Sequence, residues 1–179
     1  MKRLLLFALP LATLAFCTFI RAADAAPRTK RPDSEAKVVS VTDGDTVVLL
    51  MSSKRERVRL IGIDTPESKR NSRSRKQADQ NRIVIDQVVH LGKLAAEHTQ
   101  KLLPVGTSVR VEFDLQPRDR YGRLLAYLWL PNGTMVNEEI IRAGYAYPLT
   151  IPPNVKYEGR FLAGFRESRE KQLGLWGHR

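Results

Sequence analysis

Two β-branched runs, residues 37–42 and 45–51, stand on either side of Asp43-Gly44 with nothing else between them. Valine and threonine at that density favour strands, and the Asp-Gly step, with its preference for positive φ, favours a tight hairpin turn. A third run, residues 57–63, alternates Val58 and Leu60 with Arg59, Ile61 and Ile63, so the three segments read as a meander. Residues 109–113 and 124–130 supply two more strands, the second closed by the turn Pro131-Asn132-Gly133. Five strands this short can close on themselves and leave no open edge.

The helical signals are fewer. Val84, Val88, Leu91, Ala95 and Leu102 recur with helical period ahead of Pro104 and Gly106, with Gly92 a candidate break. Asn137 is the expected cap of a short helix through Glu138, Glu139, Ile140, Ile141 and Arg142, with Gly144 as its stop. Phe161, Leu162, Phe165, Leu173 and Trp176 predict a C-terminal helix docking an aromatic face. Residues 68–82 set Lys69, Arg70, Arg73, Arg75, Lys76 and Arg82 against Asp79, with no apolar side chain larger than Ala78. That composition predicts a mobile surface loop. Three strands, a helix, then two strands predict an α+β domain over residues 37–179. Its centre is a five-stranded barrel of the oligonucleotide-binding kind, with about three helices around it.

The N-terminus is different material. Lys2 and Arg3 precede an apolar run at 4–20, and Ala23-Asp24-Ala25 offers a small-residue cleavage site, so residues 1–25 read as a secretory signal peptide. An uncleaved anchor is the weaker reading, because the run contains Pro10 and two threonines and sits at the short limit for spanning a bilayer. A lipoprotein reading is weaker still, since bulky Phe16 precedes Cys17. The polar, proline-bearing residues 26–36 read as a flexible lead-in. Cleavage after Ala25 leaves 154 residues and removes Cys17, the chain's only cysteine. It also removes three of 30 cations and one of 19 acids, so the net charge becomes +9. A cysteine-free exported domain has no disulfide framework, and cysteine catalysis and zinc–cysteine sites are excluded. The expectation is a monomer in the periplasm or outside the cell, not bound to membrane, whose basicity suits nucleic acid. A cationic membrane-associated reading would need a broad cationic helix face, which the C-terminal segment shows only in part.

Three segments carry possible chemistry. Asp43-Gly44-Asp45-Thr46 reads mainly as a backbone device. In Arg59-Leu60-Ile61-Gly62-Ile63-Asp64-Thr65-Pro66-Glu67 a cation interrupts a strand and two acids flank Thr-Pro past its apolar end. Arg118-Asp119-Arg120-Tyr121-Gly122-Arg123 sets three arginines in a turn, for which a phosphate clamp is one reading and a solvated turn, taken alone, the better one. Taken in order, these segments resemble the staphylococcal nuclease family, or thermonucleases: Asp-Gly-Asp-Thr-Val, Arg-Leu-x-x-x-Asp-Thr-Pro-Glu and Asp-x-Tyr-Gly-Arg-x-Leu-Ala-Tyr. The likeness continues through residues 133–138, Arg142-Ala143-Gly144 and Leu173-Gly174-Leu175-Trp176, so it spans residues 38–176.

The resemblance implies an oligonucleotide-binding barrel and a calcium-dependent, sugar-nonspecific phosphodiesterase acting on DNA and RNA, with single-stranded or unpaired substrate preferred and 3′-phosphate products. It carries functional positions onto Asp45, Arg59, Asp64, Thr65, Glu67 and Arg123. The chemistry of these residues agrees. A hard divalent cation wants oxygen ligands, which the Asp45 and Asp64 carboxylates and the Thr65 carbonyl supply. Glu67 positions or deprotonates a water, and Arg59 and Arg123 fork onto phosphate oxygens as charge develops at phosphorus. His90, His98 and His178 are scattered and carry no assigned role.

Two departures stand out. Glu67 and Arg123 lie 56 positions apart, longer than expected from the family's best-known member, with the surplus in the basic stretch after Glu67. That stretch either grips substrate or is a solvated loop. The tyrosines after Gly144 are also out of register, leaving Tyr147 to stack on a base or to serve the core or rim. The rival reading is a non-catalytic nucleic-acid-binding module of the same fold.

Overall fold

The computed structural model describes residues 34–177. The signal peptide, Cys17, residues 26–33 of the lead-in and His178 lie outside the described residues. Strand β1 (Ser34–Asp43) begins three residues ahead of the expected boundary at 37, because Ser34, Glu35 and Ala36 pair with Val111, Arg110 and Val109. It is followed by β2 (Thr46–Met51), β3 (Lys54–Leu60), β4 (Gly62–Asp64), α1 (Ser72–Asn81), α2 (Ile85–Leu102), β5 (Ser108–Glu112) and β6 (Leu124–Trp129). Then come α3 (Val136–Arg142), β7 (Tyr147–Leu149), α4 (Glu158–Glu170) and a closing 3-10 turn, Gly174–Trp176. Five strands close a barrel in the order β1-β2-β3-β6-β5, with β3 and β6 parallel and the other neighbours antiparallel. This is the oligonucleotide-binding-type α+β barrel expected, with four α-helices where about three were anticipated. Alternate residues of the strands fill its interior: Val38, Val47, Leu49, Val58, Leu60, Val111 and Leu128 are all at most 2% exposed.

The run 57–63 is not one strand. Gly62 takes φ +82°, and a Cβ there would lie 2.1 Å from Phe161 Cε2, so the chain turns out of the barrel under the α4 ring. Residues beyond the turn form β4, which pairs antiparallel with β7 in a two-stranded ribbon (Asp64 opposite Tyr147). That bend lifts Asp64 and Thr65 off the barrel wall. Asn137 is also not the cap of α3: Met135 is the N-cap, and Asn137 sits inside the first turn. Its fully buried amide accepts from Leu128 N (3.0 Å) and donates to Ile61 O (2.9 Å) and Ala126 O (3.2 Å). The bend at Ile61 is thereby pinned to β6: Asn137 gives Leu128 N and Ile61 O a partner and adds a second donor to Ala126 O, which also accepts from Ile61 N (3.0 Å).

The β1–β2 connection is tight, but for another reason than positive φ. Gly44 is absent from the positive-φ positions; a Cβ there would meet Thr65 Cγ2 at 2.8 Å and Ala95 Cβ at 3.0 Å. Glycine lets the turn touch β4's exit and α2 at once, and Thr99 Oγ1 donates to Gly44 O (2.8 Å) to fasten it. Helix α2 runs unbroken through Gly92; its buried face is Val88, Gly92, Ala95, Ala96 and Thr99, whereas Val84 is exposed ahead of the helix. No described helix is long and apolar enough to cross a membrane.

Residues 72–81, expected as part of a mobile loop, form α1. Asn71 caps it: its Oδ1 accepts from Ser74 N (2.8 Å), and Ser74 Oγ accepts from Asn71 N (2.8 Å). Ser74 and Ala78, the small residues of one face, are buried and let the helix lie close on the domain. The absence of large apolar residues reflected that close approach and not disorder.

Candidate active site

Four segments meet at one end of the barrel. The β1–β2 turn contributes Asp43 and Asp45, β3 contributes Arg59, β4 and its exit contribute Asp64, Thr65 and Glu67, and the turn before β6 contributes Arg123. Asp45 is 5% exposed and Thr65 1%, so their contacts are dry. Asp45 Oδ2 accepts from Thr65 N (2.9 Å) and Thr65 Oγ1 (3.0 Å), locking the turn to the segment that carries Glu67. Arg59 Nη1 lies 2.8 Å from that same oxygen, and its Nη2 donates to Asp64 Oδ1 at 2.7 Å. One guanidinium therefore bridges the two carboxylates that the sequence nominated as metal ligands.

The acids feel one another. Burial pushes the Asp43 carboxyl up to about 6, with the Asp45 charge adding to it and Glu67 contributing further. Burial also raises Asp64 above the usual carboxylate range; Arg59 opposes this and the Asp45 charge reinforces it. Burial is thus the main cause in both, and Arg73 joins Arg59 in opposing it at Asp64.

Glu67 is half-buried and held by the helix that sequence reasoning missed. Arg73 Nε lies 3.1 Å from Glu67 Oε1, and Asn71 Nδ2 donates to Oε2 at 2.8 Å. Arg73 Nη2 also donates to Asp64 Oδ1 (2.8 Å), so both acids share it. Gln77 accepts from Glu67 N (3.0 Å) and donates to Thr65 O (3.2 Å). The Arg73 guanidinium is held charged by Asp64 and Glu67 against the cost of partial burial. Two signals could have revealed these partners: the Asn71-x-x-Ser74 capping pattern, and the i, i+4 spacing of Arg73 and Gln77 on one helix face.

The three arginines of the 118–123 turn separate into distinct roles. Arg118 forks onto Glu56 (2.9 and 3.2 Å) and donates to Gly122 O (2.6 Å), which shapes the turn. Arg120 lies over the Tyr121 ring at 4.8 Å. Arg123 reaches the site: its Nε donates to Asp119 Oδ2 (2.7 Å), and the residue lines the cleft that also holds Asp45 and Glu67. Arg123's bonds hold the Asp119 carboxyl low although its burial works the other way.

Four of the six nominated residues, Asp45, Arg59, Glu67 and Arg123, line two neighbouring hollows, whereas Asp64 lines a third, of about 420 Å³, together with Tyr147, and Thr65 is buried. A cleft of about 200 Å³ is lined by Asp43, Asp45, Glu67, Lys69, Arg73 and Arg123. Beside it a hollow of about 520 Å³ has Arg59, Arg73, Arg120 and Arg123 at its rim, with Tyr121 and an apolar floor that includes Ile63 and Leu125. Arg73 and Arg123 belong to both. Tyr147 lines neither; it packs edge-on against Trp176 (5.1 Å) and tilted to Phe165 (6.2 Å), the rim role left open for it. The exposed ring beside the arginines is Tyr121, 69% exposed. His98 stacks on Tyr145 at 4.3 Å, away from these residues.

Comparison with known proteins follows the same lines. A thermonuclease of Staphylococcus intermedius is 37% identical over 139 residues, covering 78% of this chain and 74% of the relative. A thermonuclease of Staphylococcus hyicus is 33% identical over 142 residues, covering 79% and 75%. Endonuclease YncB of Bacillus subtilis is 30% identical over 155 residues, covering 83% and 66%. Residues 57–178 match the family described as staphylococcal nuclease homologues, a span that contains Arg59, Asp64, Thr65, Glu67 and Arg123, and the chain belongs to that family.

Proposed function

We propose that this protein is an exported, calcium-dependent nuclease that hydrolyses phosphodiester bonds of DNA and RNA without regard to the sugar. The observation that carries the reading is the convergence of Glu67, two further acids and two arginines, drawn from separate segments, around one cleft beside an apolar hollow. A merely structural barrel end would not gather these charges, because each is costly to desolvate.

The donor set suits calcium. The Asp45 and Asp64 carboxylates and the Thr65 carbonyl are hard oxygens, and the two carboxylates already converge on one positive group, Arg59. Among the described residues no three His, Cys, Asp or Glu side chains are placed to hold one metal ion together, so water would complete the shell. When bound there, calcium would supply a Lewis acid for a phosphoryl oxygen.

The chain's own groups supply the remainder. Glu67 accepts the proton of the attacking water, or holds that water in line, through a carboxylate oriented from α1. Arg123, braced by Asp119, presents its terminal nitrogens to the phosphate. Arg59 holds the acids together in the free protein and is the nearer fork for the phosphate once they have another cation. Both arginines bind best to the more highly charged transition state. The neighbouring hollow takes the base, with Tyr121 as its stacking ring. An unpaired strand can splay a base into it, which favours single-stranded or locally open substrate. Bond breakage on the 5′ side, 3′-phosphate products, a monomeric state and residence in the periplasm or medium complete the proposal.

The test is digestion of single-stranded DNA with calcium, with a chelator, and by Glu67→Gln. Calcium-dependent cutting lost in the variant establishes the reaction and the site. Salt-dependent binding without any cutting would instead make the protein a binding barrel.

A further inference from the structure

The insertion between Glu67 and α2 is where this chain is longest relative to expectation; Lys69, Arg70, Arg75, Lys76 and Arg82 are exposed, but one of its cations reaches the acids of the site. Arg73 turns inward onto Asp64 and Glu67, and Arg70 pairs with Asp86. Asn71 has a double use. Its Oδ1 caps α1 by accepting from Ser74 N (2.8 Å), which fixes the side chain, and its Nδ2 is thereby aimed at Glu67 Oε2 (2.8 Å). Arg73 takes the other oxygen, Oε1, at 3.1 Å. One turn further along the same face, Gln77 grips the backbone at Thr65 O and Glu67 N. The three residues thus constrain both the carboxylate and the peptide that carries it.

From this arrangement we infer that α1 is a positioning clamp for the catalytic carboxylate, with Asn71 and Arg73 holding the two oxygens of Glu67 and Gln77 fixing its backbone. The inference rests on the nuclease reading and adds residues to it. A glutamate at the end of a loop would otherwise sample several rotamers, and only one can meet a water in line with a phosphate. Two donors on two oxygens select that rotamer before substrate arrives, so the orienting entropy is lost on folding and not in the reaction. Arg73 and Asn71 are positioning residues because they act through Glu67.

The clamp separates experimentally from a structural role. Asn71→Ser keeps a side chain able to cap α1 but removes the amide donor to Glu67. Arg73→Ala removes the second grip, and Arg73→Lys restores charge without the fork that reaches Glu67 and Asp64 together. Steady-state cutting of single-stranded DNA is measured for the purified protein and for each variant, with unfolding curves alongside. The expected result is a kcat lower by about 10- to 100-fold in Asn71→Ser and Arg73→Ala, with KM changed by no more than about threefold. Arg73→Lys recovers little, and neither substitution has any further effect on residual cutting when added to Glu67→Gln. Wild-type kcat in both Asn71→Ser and Arg73→Ala overturns the inference while leaving the nuclease reading intact. So does a rise in KM alone, which would make Arg73 a substrate contact. A wild-type protein that does not cut at all overturns the reading and the inference together.

Discussion

Gly92→Ala offers a sharp test of how the site is positioned. Gly92 lies inside α2, where the Glu67–Ser68 backbone crosses it; an added Cβ would stand 2.3 Å from both C and O of Glu67 and 2.6 Å from Ser68 N. Ordinary contact with a Cβ begins at 3.4 Å, so the Glu67 peptide must retreat by roughly 1 Å, and it is backbone with no rotamer to swing away. Two stability effects oppose each other. Alanine gains about 1 kcal/mol of helix propensity, and overpacking costs about 1–3 kcal/mol. The net loss is therefore about 0–2 kcal/mol, a minor part of a domain's usual stability. Catalysis has no such offset: a displacement of about 1 Å at a reacting group costs about 100-fold in rate. We expect kcat on single-stranded DNA in calcium to fall by about that factor while the urea midpoint shifts only slightly. Gly159→Ala is the control, since Gly159 also lies in a helix but has open space around its Cβ position. It should gain up to about 1 kcal/mol and keep wild-type kcat. A Gly92→Ala protein with wild-type kcat would refute the argument that close helix approach sets the position of Glu67.

Three further expectations follow from other parts of the molecule. Asn137→Ala strands Leu128 N and Ile61 O in the interior, while Ala126 O keeps its bond from Ile61 N, so urea unfolding should show a loss of about 2 kcal/mol or more. Tyr121→Ala removes an exposed ring, 69% accessible, so unfolding should be unchanged while KM for single-stranded DNA rises about 5- to 100-fold, the worth of one stacked base. Asp43 has a folded pKa of about 6, above its usual 3.8, so the folded state holds that proton more tightly than the unfolded chain does. Its contribution to stability is complete below about pH 4 and is lost as pH rises through about 6. In chelator, the stability of Asp43→Asn relative to wild type should therefore climb across that interval and level off above it; a flat difference would refute the assignment.

Much of the domain was legible in order along the chain. Strands announced themselves through β-branched alternation, because a half-buried pleated surface imposes a period of two. The acids and arginines of the site were nominated through the resemblance of three ordered segments to a family, since Asp43-Gly44-Asp45-Thr46 and the 118–123 turn taken singly read as structural. Three features escaped. A break at Gly62 was hidden by continuous apolar residues, since both the barrel wall and the β4–β7 ribbon bury Ile61 and Ile63. Asn137 looked like a cap because Asn commonly is one, and only tertiary packing shows that its amide ties the bend at Ile61 to the backbone of β6. Helix α1 looked like a loop because its buried face is Ser74 and Ala78, small residues with no hydrophobic signature.

What the sequence determined by itself was therefore the inventory: the strands and the barrel they close, which local periodicity encodes, and the ordered motifs that mark the family. Only the tertiary structure decided the arrangement: that one arginine bridges Asp45 and Asp64, that Arg73 and Asn71 reach back to Glu67, and that Gly92 admits the crossing backbone. The physical reason is that these contacts join residues distant in sequence through close approach, and a chain's local pattern records which faces are apolar but not which face meets which.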